Sequence, residues 1–384
     1  MKVNNQQITT YIKSLYPHQD PVLLHCPEFL GNEKKYLNEC IDTKYVSYIG
    51  RFVVDMENKI KEITGAKHAV AMVNGTSALH MLLLAIGVKP GDEVITQSLS
   101  FVATAAAIVH AGGTPIFIDV ESETMGMSPE NLENFLMKNT KTKNGLCFNK
   151  KTGKQIKAVI PMHTFGHPAR IEEIKKICDN YSLILIEDAA ESLGSFYKEK
   201  HTGTFGKAAI FSFNGNKLVT TGGGGMVITD DEAIAERIRY ISTTAKRPHR
   251  WEFYHDEVGY NLRMPSLNAA VGLAQLEYFD KILESKRETA RLYQQFFSEL
   301  GIKFVTEPLN TKSNYWLNAI MLEKRQERDE FLDYSNSNGV QTRPAWTLLH
   351  TLPPYKNCQH TEMPKSEFIA DRLVNIPSSI RVAL

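Results

Sequence analysis

Short apolar runs alternate with helical stretches through the middle of the chain. Seven such runs lie between residues 69 and 229, and segments with helical spacing or polar turns separate them. They are Ala69 to Val73, Glu93 to Thr96, Pro115 to Val120, Ala158 to Met162, Leu183 to Ile186, Ala208 to Phe213 and Met226 to Thr229. This alternation predicts a mainly parallel seven-stranded sheet covered by helices, which is the pattern of an α/β protein.

The regions on either side of this alternation differ from it. Residues 1–65 have the pattern of helices and loops, and from Ser266 a helical pattern continues through a long charged helix to about Ser298. A strand from Trp316, a helix from Arg325 and a strand ending at Pro344 are expected to follow. We predict a helical segment at 1–65 that packs on the small domain or a partner, a large domain at 66–265, and a connecting helix with a small α/β domain at 266–384.

Composition excludes several classes of function. The chain has 384 residues, 42% of them hydrophobic, and a formal net charge of +1, so no global basic field favours nucleic acid or an anionic membrane. The five cysteines have no metal-binding spacing, and no apolar run approaches the length that spans a bilayer. We therefore expect a cytoplasmic enzyme with reduced thiols and no metal.

Two charged residues follow apolar runs in the middle of the chain. Asp188 ends the run before it, and Lys217 lies on the turn that leaves the run Ala208 to Phe213. Ligands of open α/β sheets bind at the carboxyl ends of strands, where both residues are expected. Further upstream, Asn74-Gly75-Thr76-Ser77 precedes a helical pattern, and the N-terminus of a helix suits a phosphate.

This combination matches what pyridoxal phosphate needs from a protein. The cofactor needs a lysine amine for a Schiff base, a carboxylate for its ring nitrogen and hydrogen-bond donors for its phosphate. The glycines at 222–225 do not form a dinucleotide fingerprint, because they do not open a strand–helix turn with the required spacing. A nicotinamide dehydrogenase is therefore disfavoured, and the four glycines are interpreted as structural residues that allow positive φ and close backbone approach.

Six motifs together resemble one known family over nearly the whole chain. They are Asn-Gly-Thr-Ser-Ala-Leu-His at 74–80, Pro-Gly-Asp-Glu-Val-Ile at 90–95, Phe-Val-Ala-Thr at 101–104, Glu-Asp-Ala-Ala-Glu at 187–191, Ser-Phe-Asn-Gly-Asn-Lys at 212–217 and Gly-Tyr-Asn-Leu-Arg at 259–263. In this order they resemble the DegT/StrS-type nucleotide-sugar aminotransferases. The resemblance implies a fold-type-I, aspartate aminotransferase-like architecture that binds pyridoxal 5'-phosphate.

The resemblance assigns catalytic and ring-binding roles to particular positions. Lys217 would form the Schiff base and later move a proton as general base and acid. Asp188 would pair with the pyridine nitrogen, and Phe101 would cover one face of the ring. Glu191 would lie near the phenolic oxygen or the ring edge, where many relatives carry Gln or His.

The resemblance also assigns the phosphate and a second subunit. Gly75, Thr76, Ser77 and Ser212 would hold the phosphate, and Asn261 would reach it from the other subunit of a homodimer with shared active sites. His163 is interpreted either as a cofactor or substrate contact or as a residue that caps its turn.

Within the family, residues 342–346 (Thr-Arg-Pro-Ala-Trp), His350 and the Asn-Gly-Asn-Lys loop resemble the branch of legionaminic acid and related diamino-sugar pathways. Arg343 and His350 are candidates for substrate phosphate or sugar contacts, and the alternative is that both are surface side chains.

The resemblance implies transfer of an amino group from an amino acid, L-glutamate, to C4 of a nucleotide-linked 4-keto-6-deoxy sugar. The expected substrate is a UDP-linked 2-acetamido sugar used for surface glycans. Alternatives are a C3 aminotransferase acting on a dTDP- or UDP-linked keto sugar and a non-catalytic sensor that keeps the cofactor. A related dehydratase, in which histidine replaces the lysine, is disfavoured by Lys217. No motif encodes the nucleotide base, the C2 substituent or the configuration of the new amine.

Overall fold

The structure is a computed structural model that describes residues 4–381, so the outermost three residues of each predicted terminal region lie outside the described range. The helices are α1 Asn5–Leu15, α2 Glu33–Thr43, α3 Arg51–Thr64, α4 Gly75–Ala85, α5 Val102–His110, α6 Pro129–Asn139, α7 Ile171–Asn180, α8 Glu232–Ile241, α9 Ser266–Leu276, α10 Phe279–Glu299, α11 Arg325–Ser337 and α12 Pro364–Ala370. Two 3-10 turns lie at Thr164–Gly166 and Leu349–Thr351.

The strands follow the predicted runs to within about two residues at most ends. They are β1 His68–Met72, β2 Glu93–Gln97, β3 Thr114–Ile118, β4 Thr140–Lys143, β5 Leu146–Asn149, β6 Ile156–Ile160, β7 Ile184–Asp188, β8 Phe196–Tyr197, β9 Lys200–His201, β10 Ala208–Ser212, β11 Gly225–Thr229, β12 Lys303–Phe304, β13 Thr311–Lys312, β14 Asn318–Met321, β15 Arg343–Pro344 and β16 Leu373–Ile376.

The seven predicted runs form one sheet with the strand order β1-β11-β10-β7-β6-β2-β3. The five strands from β10 to β3 pair in parallel, while β11 runs antiparallel to both of its neighbours. The prediction of a mainly parallel seven-stranded sheet is confirmed. Because parallel strands all end at one edge, the loops after β7 and β10 lie side by side there.

Helices cover both faces of this sheet, so its strands are apolar on both sides. Along β1, Val70 and Met72 pack with α4 and α8, whereas Ala69 and Ala71 pack in a second cluster with α3 and α9. On the other half of the sheet, Ile95 of β2 packs with α6 and α7. The near-continuous hydrophobic runs seen in the sequence are thus those of a sheet buried between two helical layers.

A second sheet, with the strand order β12-β14-β16-β15, forms the smaller unit near the C-terminus. Helix α1 packs on it, since Ile8 and Ile12 share a buried cluster with Ile320 and Val374. Asp119, which follows β3, accepts hydrogen bonds from the backbone of Lys365 (2.9 Å) and Ser366 (2.8 Å) at the start of α12. A buried carboxylate therefore ties the end of β3 in the large sheet to α12, the helix that precedes β16.

Two local predictions need correction. The helix expected to run without a break from Ser266 to Ser298 is two helices, because α9 ends at Leu276 and α10 begins at Phe279. The last predicted strand is only Arg343–Pro344, since Val340 instead forms an isolated bridge with Val22. Between α6 and β6, strands β4 and β5 form a hairpin. Within residues 4–381 we find no helix long and apolar enough to cross a membrane.

Candidate active site

Lys217 and Asp188 come together at the carboxyl edge of the large sheet. Strand β7 ends at Asp188, and its neighbour β10 ends at Ser212, five residues before Lys217. The turn between Ser212 and Lys217 is closed by the backbone N–H of Lys217, which donates to the carbonyl of Asn214 at 2.9 Å. The sheet topology therefore brings the two predicted groups to one edge.

The Lys217 amine is held by a carboxylate and an aromatic ring. Its Nζ lies 3.1 Å from Oε1 of Glu191 and 3.8 Å from the ring centroid of Trp316, and its side chain is 12% exposed. The indole N–H of Trp316 donates to the carbonyl of Asn216 at 2.7 Å, so the same side chain also fixes the backbone before Lys217. Sequence reasoning assigned Trp316 to a strand and missed this contact, which joins segments 99 residues apart.

Asp188 is buried with few partners. Its Oδ2 accepts a hydrogen bond from the Thr104 hydroxyl at 2.6 Å, and its Oδ1 accepts one from the Ala190 N–H at 3.2 Å. Burial raises the pKa of Asp188, and the hydrogen bond from Thr104 opposes that shift. Thr104 is a second residue that sequence reasoning missed, although it ends the Phe-Val-Ala-Thr motif.

Glu191 is a buried acid whose protonation is balanced near neutrality. Burial raises its pKa to about 7, and the charge of Lys217 and its hydrogen bond act in the opposite direction. Its Oε2 accepts the backbone N–H of Phe165 at 2.9 Å. Burial thus makes the protonated form of Glu191 accessible near neutral pH. The protonated form could also donate a hydrogen bond to a cofactor oxygen.

The predicted phosphate end is built from the first turn of α4 and the end of β10. Asn74 caps this helix, since its Oδ1 accepts the Ser77 N–H at 2.7 Å. Ser212 lies directly against the helix start, because a Cβ added at Gly75 would be 3.1 Å from the Cβ of Ser212. Hydroxyls of Thr76, Ser77 and Ser212 and free N–H groups of a first helical turn thus gather in one place.

The glycine run supports this helix start from behind. Gly222 has φ +76°, and a Cβ added at Gly225 would lie 2.5 Å from the backbone C and O of Asn74. A Cβ at Gly223, by contrast, would meet only the carbonyl of Val73, at 3.8 Å. The structural interpretation of the run is confirmed at Gly222 for positive φ and at Gly225 for close approach.

These groups fit pyridoxal phosphate. The site supplies the three groups that the cofactor requires. They are a partly buried amine, a buried carboxylate with spare acceptor capacity, and a helix N-terminus flanked by hydroxyls. The fit rests on the geometry at Gly75 and Ser212 and on the low hydrogen-bond count of Asp188.

Phe101 and Asn261 are both open to solvent in the single chain. Phe101 precedes the first residue of α5, is 49% exposed, and has its ring edge-on to Trp346 with centroids 6.5 Å apart. Asn261 is exposed and forms an isolated bridge with Thr243. Stacking on the cofactor and contact with a second subunit therefore stay predictions for these residues.

His163 lies at the same edge, but its ring is used by the protein. Its Nε2 pairs with Glu187 at 2.9 Å, and its Nδ1 accepts the Ala169 N–H at 3.1 Å. The imidazole is fully buried. This arrangement favours the structural alternative for His163, in which it orders the loop after β6.

The predicted substrate residues Arg343 and His350 occupy different surroundings. Arg343 is exposed and donates to Oδ1 of Asn336 at 3.0 Å. His350 is brought to the edge of the large sheet, where its Nδ1 lies 2.7 Å from the hydroxyl of Ser98, and burial lowers its pKa. Arg263, the last residue of the motif at 259–263, is paired with Glu57 at 2.7 Å.

The fold and this edge define the chain as a fold-type-I enzyme that depends on pyridoxal phosphate. The model of the DegT/DnrJ/EryC1/StrS aminotransferase family matches residues 28–383, and the chain belongs to that family.

Relatives match over most of their length. The chain is 37% identical over 352 residues to GDP-perosamine synthase of Escherichia coli O157:H7, covering 92% of each chain. It is 38% identical over 333 residues to the putative pyridoxal phosphate-dependent aminotransferase EpsN of Bacillus subtilis, covering 86% of this chain and 83% of that protein. Among solved structures, it resembles a family aminotransferase from Brucella abortus with a TM-score of 0.83 at 26% identity, covering 92% of this chain and 91% of the other.

Proposed function

We propose that this aminotransferase moves an amino group from L-glutamate to C4 of a nucleotide-linked 4-keto-6-deoxy sugar. The observation that carries the chemistry is the contact between the Lys217 amine and Glu191 beside the buried Asp188. Membership of the nucleotide-sugar aminotransferase family supports the substrate class. Amination at C4 is supported by the GDP-perosamine synthases among the relatives, since perosamine carries its amino group at C4.

The residues divide the work of proton transfer and binding. Lys217 would act as the general base and acid that moves a proton at the substrate, and Glu191, whose Oε1 lies 3.1 Å from the Lys217 amine, would exchange a proton with it. The carboxylate of Asp188 would pair with the ring nitrogen of the cofactor and favour its protonated form. When bound, pyridoxal phosphate supplies the aldehyde that accepts the amine and the ring that accepts electrons.

Lys217 also decides between related activities. A deoxygenating dehydratase of this family carries histidine at that position, so Lys217 supports transamination rather than deoxygenation. A non-catalytic sensor that keeps the cofactor would also keep the lysine, but it would release no 2-oxoglutarate from L-glutamate.

The nucleotide and the pathway form the finer part of the proposal. A UDP-linked 2-acetamido sugar of the legionaminic acid type is supported by the resemblance at residues 342–346, His350 and the Asn-Gly-Asn-Lys loop. A GDP-linked sugar is a second candidate, because two relatives at 37% and 36% identity are GDP-perosamine synthases.

A substrate panel tests this proposal. Purified holoenzyme is given L-glutamate and, in separate reactions, UDP-, GDP- or dTDP-linked 4-keto-6-deoxy sugars, and NMR locates the new amine. The expected result is a 4-amino product with the UDP-linked sugar and release of 2-oxoglutarate. Amination only of the GDP-linked sugar would select the second candidate, amination at C3 would overturn the regiochemistry, and no amination of any sugar would overturn the activity.

The proposal includes a homodimer with shared active sites. It is supported by the exposure of Asn261 and of a neighbouring apolar segment, in which Trp251 is 70%, Phe253 79% and Val258 85% exposed. Mixing inactive Lys217→Ala and Asn261→Ala variants tests it, because a hybrid dimer would contain one site with both native residues. Recovery of activity is expected after subunit exchange, and a mixture that stays inactive would contradict shared sites.

The free cysteines at all five positions support a reducing, cytoplasmic location.

A further inference from the structure

The stretch from the end of α6 to the start of β6 carries charge of one sign only. Residues 137–157 contain seven lysines and no aspartate, glutamate or arginine. Because the whole chain has a formal net charge of only +1, the rest of it is net acidic, and this stretch is a local basic field. Residues 138–154 form what we call the lysine hairpin. Its six lysines are all exposed, and they are Lys138, Lys141, Lys143, Lys150, Lys151 and Lys154.

The inner face of the lysine hairpin is part of the core of the large domain. In the register of β4 and β5, Thr140 lies opposite Asn149, and Thr142 lies opposite Cys147. Thr140, Cys147 and Asn149 are buried, and Cys147 packs in the cluster that contains side chains of α6 and α7. The amide of Asn149 also donates to Oε2 of Glu93 at 2.8 Å. These contacts fix the orientation of the hairpin on the protein.

The outer face combines charge with apolar surface. Successive side chains of a strand alternate between its two faces, so the remaining cross-strand pairs point away from the protein. These pairs are Lys141 with Phe148 and Lys143 with Leu146. Leu146, at the tip of the hairpin, is 41% exposed, and Phe148 is half-buried. The outer face therefore presents lysines and apolar side chains together.

The lysines of this hairpin have no acidic partners within the described part of the chain, residues 4–381. None of their six amines forms an ion pair with a carboxylate there. By contrast, the exposed Lys175 on α7 is paired with Asp179 at 2.8 Å. Like charges that are close together repel each other, and an external anionic surface would offset that repulsion.

The composition of the outer face selects the kind of anionic partner. It has lysine but no arginine, and arginine is the cation whose planar fork matches base edges and single phosphates in two-point contacts. Apolar side chains beside the lysines, as at Leu146 and Phe148, can enter the headgroup region of a bilayer. Clusters of roughly four to eight cations attract anionic phospholipids. The outer face therefore favours a lipid surface over nucleic acid.

The lysine hairpin lies at the edge of the large sheet opposite to the candidate active site. The chain leaves the hairpin and enters β6 at Ile156, and β6 ends at Ile160, before the loop that contains His163. A strand of five residues spans about 17 Å, so the depth of the sheet separates the hairpin from the carboxyl edge. A surface bound at the hairpin would leave the active site open to soluble substrates.

We propose that the lysine hairpin docks the enzyme on a membrane surface that contains anionic phospholipid. Its six exposed lysines supply the electrostatic attraction, and Leu146 supplies the apolar contact at the tip. This inference goes beyond the proposed function, because it concerns where the enzyme acts rather than which sugar it aminates.

Sedimentation of the full-length holoenzyme with lipid vesicles tests the proposal. Vesicles of phosphatidylcholine alone are compared with vesicles of phosphatidylcholine mixed with phosphatidylglycerol, at low and at high salt. Lys141→Gln/Lys143→Gln removes two charges from the outer face, and Leu146→Ser removes the apolar tip. The matched control is Lys303→Gln/Lys312→Gln, which removes the same charge from two exposed lysines on β12 and β13. Thermal unfolding checks that each variant folds, and a labelled RNA oligonucleotide is titrated in parallel.

The expected result is binding that depends on the hairpin and on anionic lipid. Wild type should bind the mixed vesicles at least about tenfold more tightly than the neutral ones, and Lys141→Gln/Lys143→Gln should lower that binding about 10- to 30-fold. Leu146→Ser should lower it about three- to tenfold, because less apolar surface enters the lipid. The control should stay within about twofold of wild type, and high salt should release the bound enzyme.

Four other outcomes would overturn the proposal. They are no binding of wild type to mixed vesicles, equal binding to both kinds of vesicle, equal losses in the hairpin double variant and the control, and no effect of Leu146→Ser. RNA binding that is tighter than vesicle binding and is lost in Lys141→Gln/Lys143→Gln would assign the hairpin to nucleic acid instead. None of these measurements requires turnover, so their failure is distinct from failure of the proposed amination.

Discussion

Two adjacent carboxylates on strand β7 have opposite surroundings. Glu187 accepts hydrogen bonds from the N–H groups of Gly203 (2.7 Å), Phe205 (2.7 Å) and Gly206 (2.8 Å), and its Oε2 pairs with His163 at 2.9 Å. Burial alone would raise the pKa of Glu187, but the hydrogen bonds from His163 and from the N–H groups outweigh it, so the pKa is lowered.

Asp188, the next residue, has only two hydrogen bonds, and burial raises its pKa. Glu191, further along the same loop, behaves similarly, with a pKa raised to about 7. A buried carboxylate whose acceptor sites are all filled stabilises the fold as a charge. One with spare acceptor sites can change its protonation or bind a cationic partner, and that difference separates the supporting residues of this edge from the reacting ones.

The largest effect should come from the reacting side. Lys217→Ala removes the amine that attacks the cofactor aldehyde and moves the proton, and we expect turnover to fall by about 10⁴-fold or more. Steady-state amination of the preferred keto sugar measures this loss. The control is Lys207→Ala, since Lys207 is half-exposed and paired with Asp231 away from the site. Turnover of Lys217→Ala within tenfold of the wild type would contradict the role of Lys217.

Neutralising Asp188 and Glu187 one at a time should separate effects on the reaction rate from effects on stability. Asp188→Asn should lower the rate of the donor half-reaction by about 10²- to 10³-fold, because a neutral amide no longer holds the proton on the ring nitrogen. Its unfolding free energy should stay close to that of the wild type, since a desolvated charge is removed.

Glu187→Gln should do the reverse, losing about 3 kcal/mol in denaturant unfolding, because His163 and three backbone N–H groups lose their anionic acceptor. The rate per folded molecule should change little. The comparison fails if both variants lose rate and stability to the same degree.

Two glycines of one run should differ in the same way. Gly225→Ala places a methyl group 2.5 Å from the backbone of Asn74, so the start of α4 must shift, and we expect a loss of about 1–3 kcal/mol with weaker cofactor binding. Gly223→Ala is the matched control, because its methyl group would meet only the Val73 carbonyl, at 3.8 Å. Cofactor titration and thermal unfolding check both, and equal behaviour of the two variants would argue against the close approach.

The smallest effect is a pH dependence of stability that reports Glu191. Its pKa in the folded protein, about 7, lies above its ordinary value of 4.5, so the folded state binds the proton more tightly than the unfolded state. The stability gained from protonation is fully present below pH 4.5 and is lost as the pH rises through 7.

The background for this measurement is Lys217→Ala, because removing the ammonium group should raise the pKa of Glu191 further. The stability of cofactor-free Lys217→Ala, measured by thermal unfolding, should therefore fall more between pH 5 and pH 8 than the stability of Lys217→Ala/Glu191→Gln. Parallel pH profiles of the two variants would show that Glu191 is not the titrating acid.

The sequence predicts the large sheet well, because strands buried on both faces have long apolar runs and end in turns. It also predicts the position of Lys217 and Asp188, since both follow such runs. The sequence does not predict which side chains these two residues contact. Trp316 and Thr104 meet them only after the chain folds, and nothing in the local pattern around either residue indicates the contact.

The helix break near residue 277 has a similar tertiary cause. No glycine or proline marks it, but Glu277 accepts a hydrogen bond from Asn32 at 2.7 Å and the ring of Tyr278 lies against Gly31. Contacts with the segment before α2 thus stabilise an end that helical spacing alone cannot predict. The sequence also does not show that hydrogen bonds within the protein use the carboxylate of Glu187 and both ring nitrogens of His163. In the sequence alone, a histidine after a strand resembles a ligand contact.

Reduction of the holoenzyme with borohydride tests the central assignment most directly. The reagent fixes pyridoxal phosphate to the lysine that holds it, and peptide mass spectrometry then identifies the labelled residue. We predict one pyridoxyl group per chain, on Lys217. None is expected on Lys286, a buried lysine whose amine donates to the backbone carbonyls of Trp316 and Ser378. A label on another lysine, or stoichiometric cofactor without any reducible linkage, would contradict the account.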